Sequence, residues 1–169
     1  MIVSKKIGGV EVIESTAQIY MDFENVIEVT KKLEYDVDYA QLLSDLKVSD
    51  TVSHAVAFSS HHFFKQKYGD MKKNLVKAGF KTDQVYPESR YTKNFTDTYL
   101  VATALSNGLS DSRLRRFVLV SDDGGYLRMI KILKCKGIFV TLIGSKACSK
   151  RLKKYCDEFI DLENYRLIS

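Results

Sequence analysis

Apolar residues fall along this chain in short runs separated by longer amphipathic stretches. "AQIYMDF" reads as a buried strand ending at Asp22, since a short, near-continuous apolar run fits a strand covered on both faces. "SHAVAFSS", "FKTDQVYP", "RFVLVS" and "IFVTLIG" repeat the pattern, and "EFIDL" is a shorter final strand. Between the strands the period lengthens. In "DVDYAQLLSDLK", Tyr39, Leu42, Leu43 and Leu46 recur at helical spacing, with Asp36 or Asp38 placed to cap the helix. "HHFFKQKYGDMKKNLVKAG" is amphipathic and stops at Gly79, as helices do at a residue that takes positive φ. "DTYLVATALSNG", "GYLRMIKILKCKG" and the basic "KACSKRLKKYC" supply the remaining helices. "YTKNFT" reads as a polar loop, and "IGGVE" as a turn ahead of the first strand–helix unit.

Strands that alternate with helices predict an α/β fold. The expected form is a three-layer α/β/α sandwich around a mostly parallel sheet of five or six strands. No internal repeat or low-complexity linker breaks the pattern. A single domain over residues 1–169 is expected, with its core from about residue 17 to residue 165.

Composition supports a packed core: 45% of the 169 residues are hydrophobic and one is proline. No apolar run approaches the ~20 residues of a membrane-crossing helix, and the N-terminal stretch has no apolar signal segment. Cys135, Cys148 and Cys156 follow no metal-binding spacing and read as reduced thiols. A cytoplasmic protein without a membrane association is therefore expected. Twenty-six basic against twenty-one acidic residues give a mild net charge of +5. The bases cluster in "RLRR", "RMIKILKCK" and "KACSKRLKK". Such runs are either solvated helix faces or phosphate contacts.

The chemistry concentrates at strand ends. "FVLVSDDGGYLRMI" runs an apolar strand straight into Asp122 and Asp123. Open parallel sheets bind ligands outside the carboxyl ends of their strands, where strand order reverses. Asp22 ends the first strand, Asp122 and Asp123 follow the fourth, and Asp97 opens the helix before it. Each alone serves as well for a helix cap. Together, converging carboxylates stay ionised only beside a cation, and an all-oxygen set selects Mg²⁺ or Mn²⁺. Such an ion suits phosphodiester hydrolysis, because it acidifies a bound water and neutralises phosphate charge. No GxSxG, Cys–His or P-loop pattern competes.

These segments resemble the NYN domains, relatives of the PIN-like nucleases. "YMDFENV" matches a strand followed by D-x-x-N, and "KNFTDTYLVATAL" matches a helical segment from Asp97 onward. "VLVSDDGGYLRMIKILKCKGIFVTLIG" matches a strand ending in S-G-D-S-D-F, and "YCDEFIDLENY" matches the closing strand. The resemblance spans Gln18 to about Tyr165. It implies a PIN-like, metal-dependent endoribonuclease that hydrolyses RNA phosphodiester bonds. Asp22, Asp97 and Asp123 would hold Mg²⁺ or Mn²⁺. Asn25 would orient Asp22 or the substrate, and Ser121 would support the turn by hydrogen bonding. Lys93 would stand for the family's lysine, one residue further from the aspartate. Two positions depart from the pattern: Gly125 replaces the second acid of S-G-D-S-D, and Thr103 replaces an acid within the helix. Asp122, at a position the family gives to glycine, is the candidate to supply the lost charge through water. The expected catalytic set is thus Asp22, Asn25, Asp97, Asp122 and Asp123.

The departures keep a second reading open, a weakened NYN domain that binds nucleic acid or protein without cutting. A phosphatase is a third reading, but "DFENV" lacks the second aspartate and the threonine of a D-x-D-x-T loop. Lys150, Arg151 and Lys154 of the basic helix are expected to grip RNA backbone. Tyr126 either packs under the site or stacks on a base. Glu24 is expected to project outward. His61 and His62 read as helix-start surface positions that could also reach the crevice, and Phe63 and Phe64 as core. Pairing as a homodimer is left open.

Overall fold

The computed structural model describes residues 4–7, 10–13, 15–61, 63, 69–85 and 95–167, with backbone only for 4–7, 10–13 and 84–85. Lys93, His62, Phe64 and the "YTKN" part of the expected loop lie outside the described residues. At the N-terminal end, β1 (Ser4–Ile7) and β2 (Val10–Ile13) pair antiparallel on either side of the expected Gly-Gly turn.

Among the described residues the main sheet has six strands: β3 (Thr16–Asp22), β4 (Thr51–Ser60), β5 (Lys81–Val85), β6 (Leu114–Val120), β7 (Phe139–Gly144) and β8 (Glu158–Asp161). Their order is β5-β4-β3-β6-β7-β8, and every neighbouring pair is parallel. All residues of β3 are buried, which is why the strand reads as a near-continuous apolar run.

Alternation along β3 divides the core in two. Ile19 and Met21 pack with Phe23, Val26 and Ile27 of α1 (Phe23–Lys32), Leu42, Leu43 and Leu46 of α2 (Tyr39–Ser49), and Leu75 of α3 (Gly69–Ala78). Tyr20 turns to the opposite face. There it joins Leu100 and Ala104 of α4 (Phe95–Ser110), Met129, Ile130 and Leu133 of α5 (Leu127–Cys135), and Leu152 of α6 (Lys150–Tyr155). Each such side chain is worth about 1.5–3 kcal/mol when fully buried. Helices therefore cover both faces, as the α/β sandwich requires.

Sequence periodicity gives no element for residues 23–32, yet α1 fills them. Phe23, Val26, Ile27 and Thr30 form its buried face. Val26, Ile27, Val29 and Thr30 are β-branched, so their intrinsic preference masks the helical period. Asp22 resolves the ambiguity by capping the helix. The basic helix is shorter than expected. It covers Lys150–Tyr155, because Ser149 caps it after a turn. Among the described residues no helix is long and apolar enough to cross a membrane.

The chain moves from β3 outward to β4 and β5, then returns to lay β6 on the other side of β3. Strand order therefore reverses between β3 and β6, and the carboxyl ends of these two strands open a crevice. Met21 pairs with Val120 there, so the residues that follow, Asp22 and Ser121, leave the sheet side by side.

Candidate active site

Asp22 ends β3 and is 4% exposed. Its Oδ1 accepts the backbone N–H of Asn25 at 3.2 Å, the usual bond of a helix cap. Its Oδ2 accepts the hydroxyl of Tyr126 at 2.8 Å. The same hydroxyl lies 3.0 Å from Oδ1 of Asp97, in the first turn of α4. Two acids from separate elements thus converge on one phenol. Tyr126 closes a 3₁₀ turn, Gly124–Tyr126, that leads into α5.

Asp123 caps that turn, its Oδ1 accepting from the backbone N–H of Gly125 at 2.8 Å. The Ser121 hydroxyl accepts the N–H of Asp123 at 3.1 Å and donates to the side-chain oxygen of Asn25 at 3.3 Å. The same Asn25 oxygen accepts the N–H of Asp122 at 2.8 Å. Asn25 and Ser121 therefore fasten the loop after β6 to the start of α1. The expected support by Ser121 is present as hydrogen bonds, and Asn25 reaches both Asp22, through its backbone, and the loop, through its side chain.

Electrostatics follow from burial and crowding. Burial raises the Asp22 carboxyl to about 7. The Asn25 N–H and the Tyr126 hydroxyl counter part of that rise, and the charges of Asp97 and Glu24 add to it. Asp97 is also raised, first by burial and then by Asp123 and Glu24, with the Tyr126 bond opposing. Burial, then the two carboxylates, push the Tyr126 phenol far above its usual range, so it stays protonated.

A hydroxyl carries one proton and can donate fully to only one of two carboxylates. Among the described residues no ion pair engages Asp22, Asp97 or Asp123, which leaves these acids short of positive charge there. An oxygen-only donor set with a charge deficit fits a hard divalent cation. Mg²⁺ in particular is often held by one or two carboxylates and keeps several waters. The expected three-carboxylate set is not assembled, however. Among the described residues no group of three His, Cys, Asp or Glu side chains is arranged to hold a metal. Asp22 and Asp97 form the pair, while Asp123 is exposed and tied to Gly125.

Asp122 does not join the acids, contrary to the sequence expectation. Its Oδ1 accepts the N–H of Ser145 at 2.7 Å, and its Oδ2 accepts the Ser145 hydroxyl. It is also absent from the charges that shift Asp22 or Asp97. Asp122 thus braces the turn after β7 and does not replace the charge missing at Gly125.

Glu24 differs from expectation in the other direction. Its Oε1 accepts the N–H of Ser60 at 2.6 Å and the Ser59 hydroxyl at 3.1 Å, and its charge reaches both Asp22 and Asp97. Tyr126 is 2% exposed, which removes the base-stacking option and leaves its hydroxyl as a site group that sequence reasoning missed. The signal was a phenol where ring packing alone needs only phenylalanine. Lys150, Arg151 and Lys154 are exposed, and among the described residues no ion pair engages them. Their helix borders the Gly124–Tyr126 turn.

Comparison with known proteins accords with this geometry. A crystal structure of a protein of unknown function from Vibrio parahaemolyticus RIMD 2210633 superposes with a TM-score of 0.77, at 20% identity, over 91% of this chain and 97% of that one. That likeness is one of fold. No curated protein matches the chain significantly. The family model of the NYN domain matches residues 16–163. With a PIN-like fold, acids at its switch point and a family match over nearly its whole length, this chain belongs to the NYN domain family, whose members are generally nucleases.

Proposed function

We propose that the chain is a metal-dependent endoribonuclease, acting as one domain in the reducing setting that suits its three free thiols. The observation that carries this reading is the convergence of Asp22 and Asp97 on one hydroxyl at the strand-order reversal. Those two carboxylates would hold Mg²⁺ or Mn²⁺, with Asp123 beside them. When bound, the ion supplies a water of lowered pKa and neutralises charge on the scissile phosphate.

The chain's own residues do the rest. Asn25 and Ser121 hold the loop of Asp123 in place. Burial of Asp22 excludes bulk water from one side of the pair, which strengthens every charge interaction there. Lys150, Arg151 and Lys154 offer an exposed positive surface to the RNA backbone. Water attacks in line, and the products carry a 5′-phosphate and a 3′-hydroxyl. RNA is favoured over DNA by the family resemblance.

A second reading has a specific observation behind it. With no group of three metal-ligating side chains among the described residues and Gly125 in place of an acid, a weakened domain that binds nucleic acid without cutting would have the same surface. Incubation of single-stranded and structured RNA with millimolar Mn²⁺ separates the two. Cleavage that disappears in Asp22→Asn supports the nuclease. Retained RNA binding with no cleavage and no Mn²⁺ uptake would establish the binding module instead.

A further inference from the structure

The ring of Tyr126 is accounted for by packing. It is 2% exposed and belongs to the core cluster with Leu100, Met129 and Leu152. Its hydroxyl is not accounted for in that way. Burying a hydroxyl costs free energy unless it is hydrogen-bonded, and a phenylalanine would fill the same space without that cost. The hydroxyl meets Asp22 at 2.8 Å and Asp97 at 3.0 Å. It is a neutral hydroxyl between two acids, and the charge of Asp97 adds to the rise of the Asp22 carboxyl. Asp22 is fixed at the end of the central strand, but Asp97 stands on α4, a separate element with no described ion pair to hold its carboxylate.

We propose that Tyr126 is a positioning residue whose hydroxyl sets the spacing of Asp22 and Asp97 for a divalent cation. This rests on the reading that those acids hold such an ion. The phenol stays protonated and does not act as a base. It holds Asp97 toward Asp22, so that the ion meets a preformed pair and the two carboxylates need not be drawn together at the moment of binding. Without the hydroxyl, part of the ion's binding free energy would be spent on overcoming their repulsion.

The test is Tyr126→Phe in the full chain, titrated with Mn²⁺ and followed by electron paramagnetic resonance. This reports both free Mn²⁺ and the spectrum of the bound ion. The variant is expected to fold with an unchanged circular dichroism spectrum. It should bind Mn²⁺ about tenfold more weakly, on the scale of one lost hydrogen bond to a carboxylate, and the bound-ion spectrum should change. RNA cleavage should need correspondingly more Mn²⁺ for half-maximal rate. In an Asp97→Asn background the same change should cost less than about twofold, because the pair it spaces is already broken. Equal affinity and an identical spectrum in wild type and Tyr126→Phe would overturn the positioning role and leave the metal reading intact. Tighter binding by the variant would show that the hydroxyl obstructs the ion. If the wild type takes up no Mn²⁺, the metal reading and the positioning role fall together.

Discussion

The side-chain oxygen of Asn25 accepts the backbone N–H of Asp122 at 2.8 Å, joining residues 97 positions apart. This bond, with the Ser121 hydroxyl on the same oxygen, ties the first turn of α1 to the loop that carries Asp123. Asn25→Ala should leave the Asp122 N–H without its acceptor and destabilise the fold by about 1–3 kcal/mol. Asn25→Asp keeps an acceptor and should lose clearly less. Urea unfolding of both variants checks the order. Equal stability of Asn25→Ala and wild type would remove Asn25 from this role.

The raised carboxyl of Asp22 makes stability depend on pH with a definite sign. Its folded value is about 7 against an ordinary 3.8. Between these values the folded chain keeps a proton that the unfolded chain has released, so stability of the metal-free protein falls as pH rises. The fall begins near pH 4, ends near pH 7, and Asp97 adds to it in the same direction. Unfolding in chelator at a series of pH values should show this slope. Asp22→Asn should flatten it and stabilise the metal-free protein at pH 8 while abolishing Mn²⁺ uptake. Stability that rises across the window would contradict the assignment.

Gly144 ends β7 where the loop of Asp122 passes close by. A Cβ there would stand 2.5 Å from Oδ1 of Asp122 and 3.1 Å from the carbonyl oxygen of Ser121. Gly144→Ala should therefore push the Asp122 brace off Ser145 and destabilise the protein by about 1–3 kcal/mol, the range for overpacking. The displaced backbone also carries Asp123, so Mn²⁺ affinity should fall as well. Thermal melts and metal titration on the one variant report both effects, and wild-type values in each would show that the loop yields freely.

The basic helix predicts a salt effect. Replacing Lys150, Arg151 and Lys154 together with alanine should weaken RNA binding at low salt. The slope of log affinity against log salt should flatten by about 0.7 for each phosphate of a single strand that the helix no longer neutralises. All three side chains are exposed, so stability should stay within roughly 0.5 kcal/mol of wild type. An unchanged slope would place the RNA path elsewhere.

The strands and most helices were legible because their periods follow directly from residue order. β3 and the 117–120 part of β6 are buried on both faces, and such strands leave near-continuous apolar runs. The helix α1 was hidden because its β-branched face has the composition of a strand, and packing against the sheet together with the Asp22 cap selects the helix. Asp22 and Asp97 were legible as acids at the ends of elements. Their common partner was not, because nothing in "GGYLRMI" says that the Tyr126 hydroxyl points at carboxylates 104 and 29 residues away.

Residue order by itself determined the alternation of strands and helices, the acids at strand ends and the basic helix. Each of these depends on local spacing and side-chain type. The tertiary structure decided which acids meet. In "SDDGG" the two aspartates are neighbours in sequence but bind different partners. One fastens Ser145 and the other caps the turn at Gly125. The parallel pairing of β3 with β6 then places Asp22 at the same crevice. Contact across strands depends on register, and register is fixed only when the whole core packs.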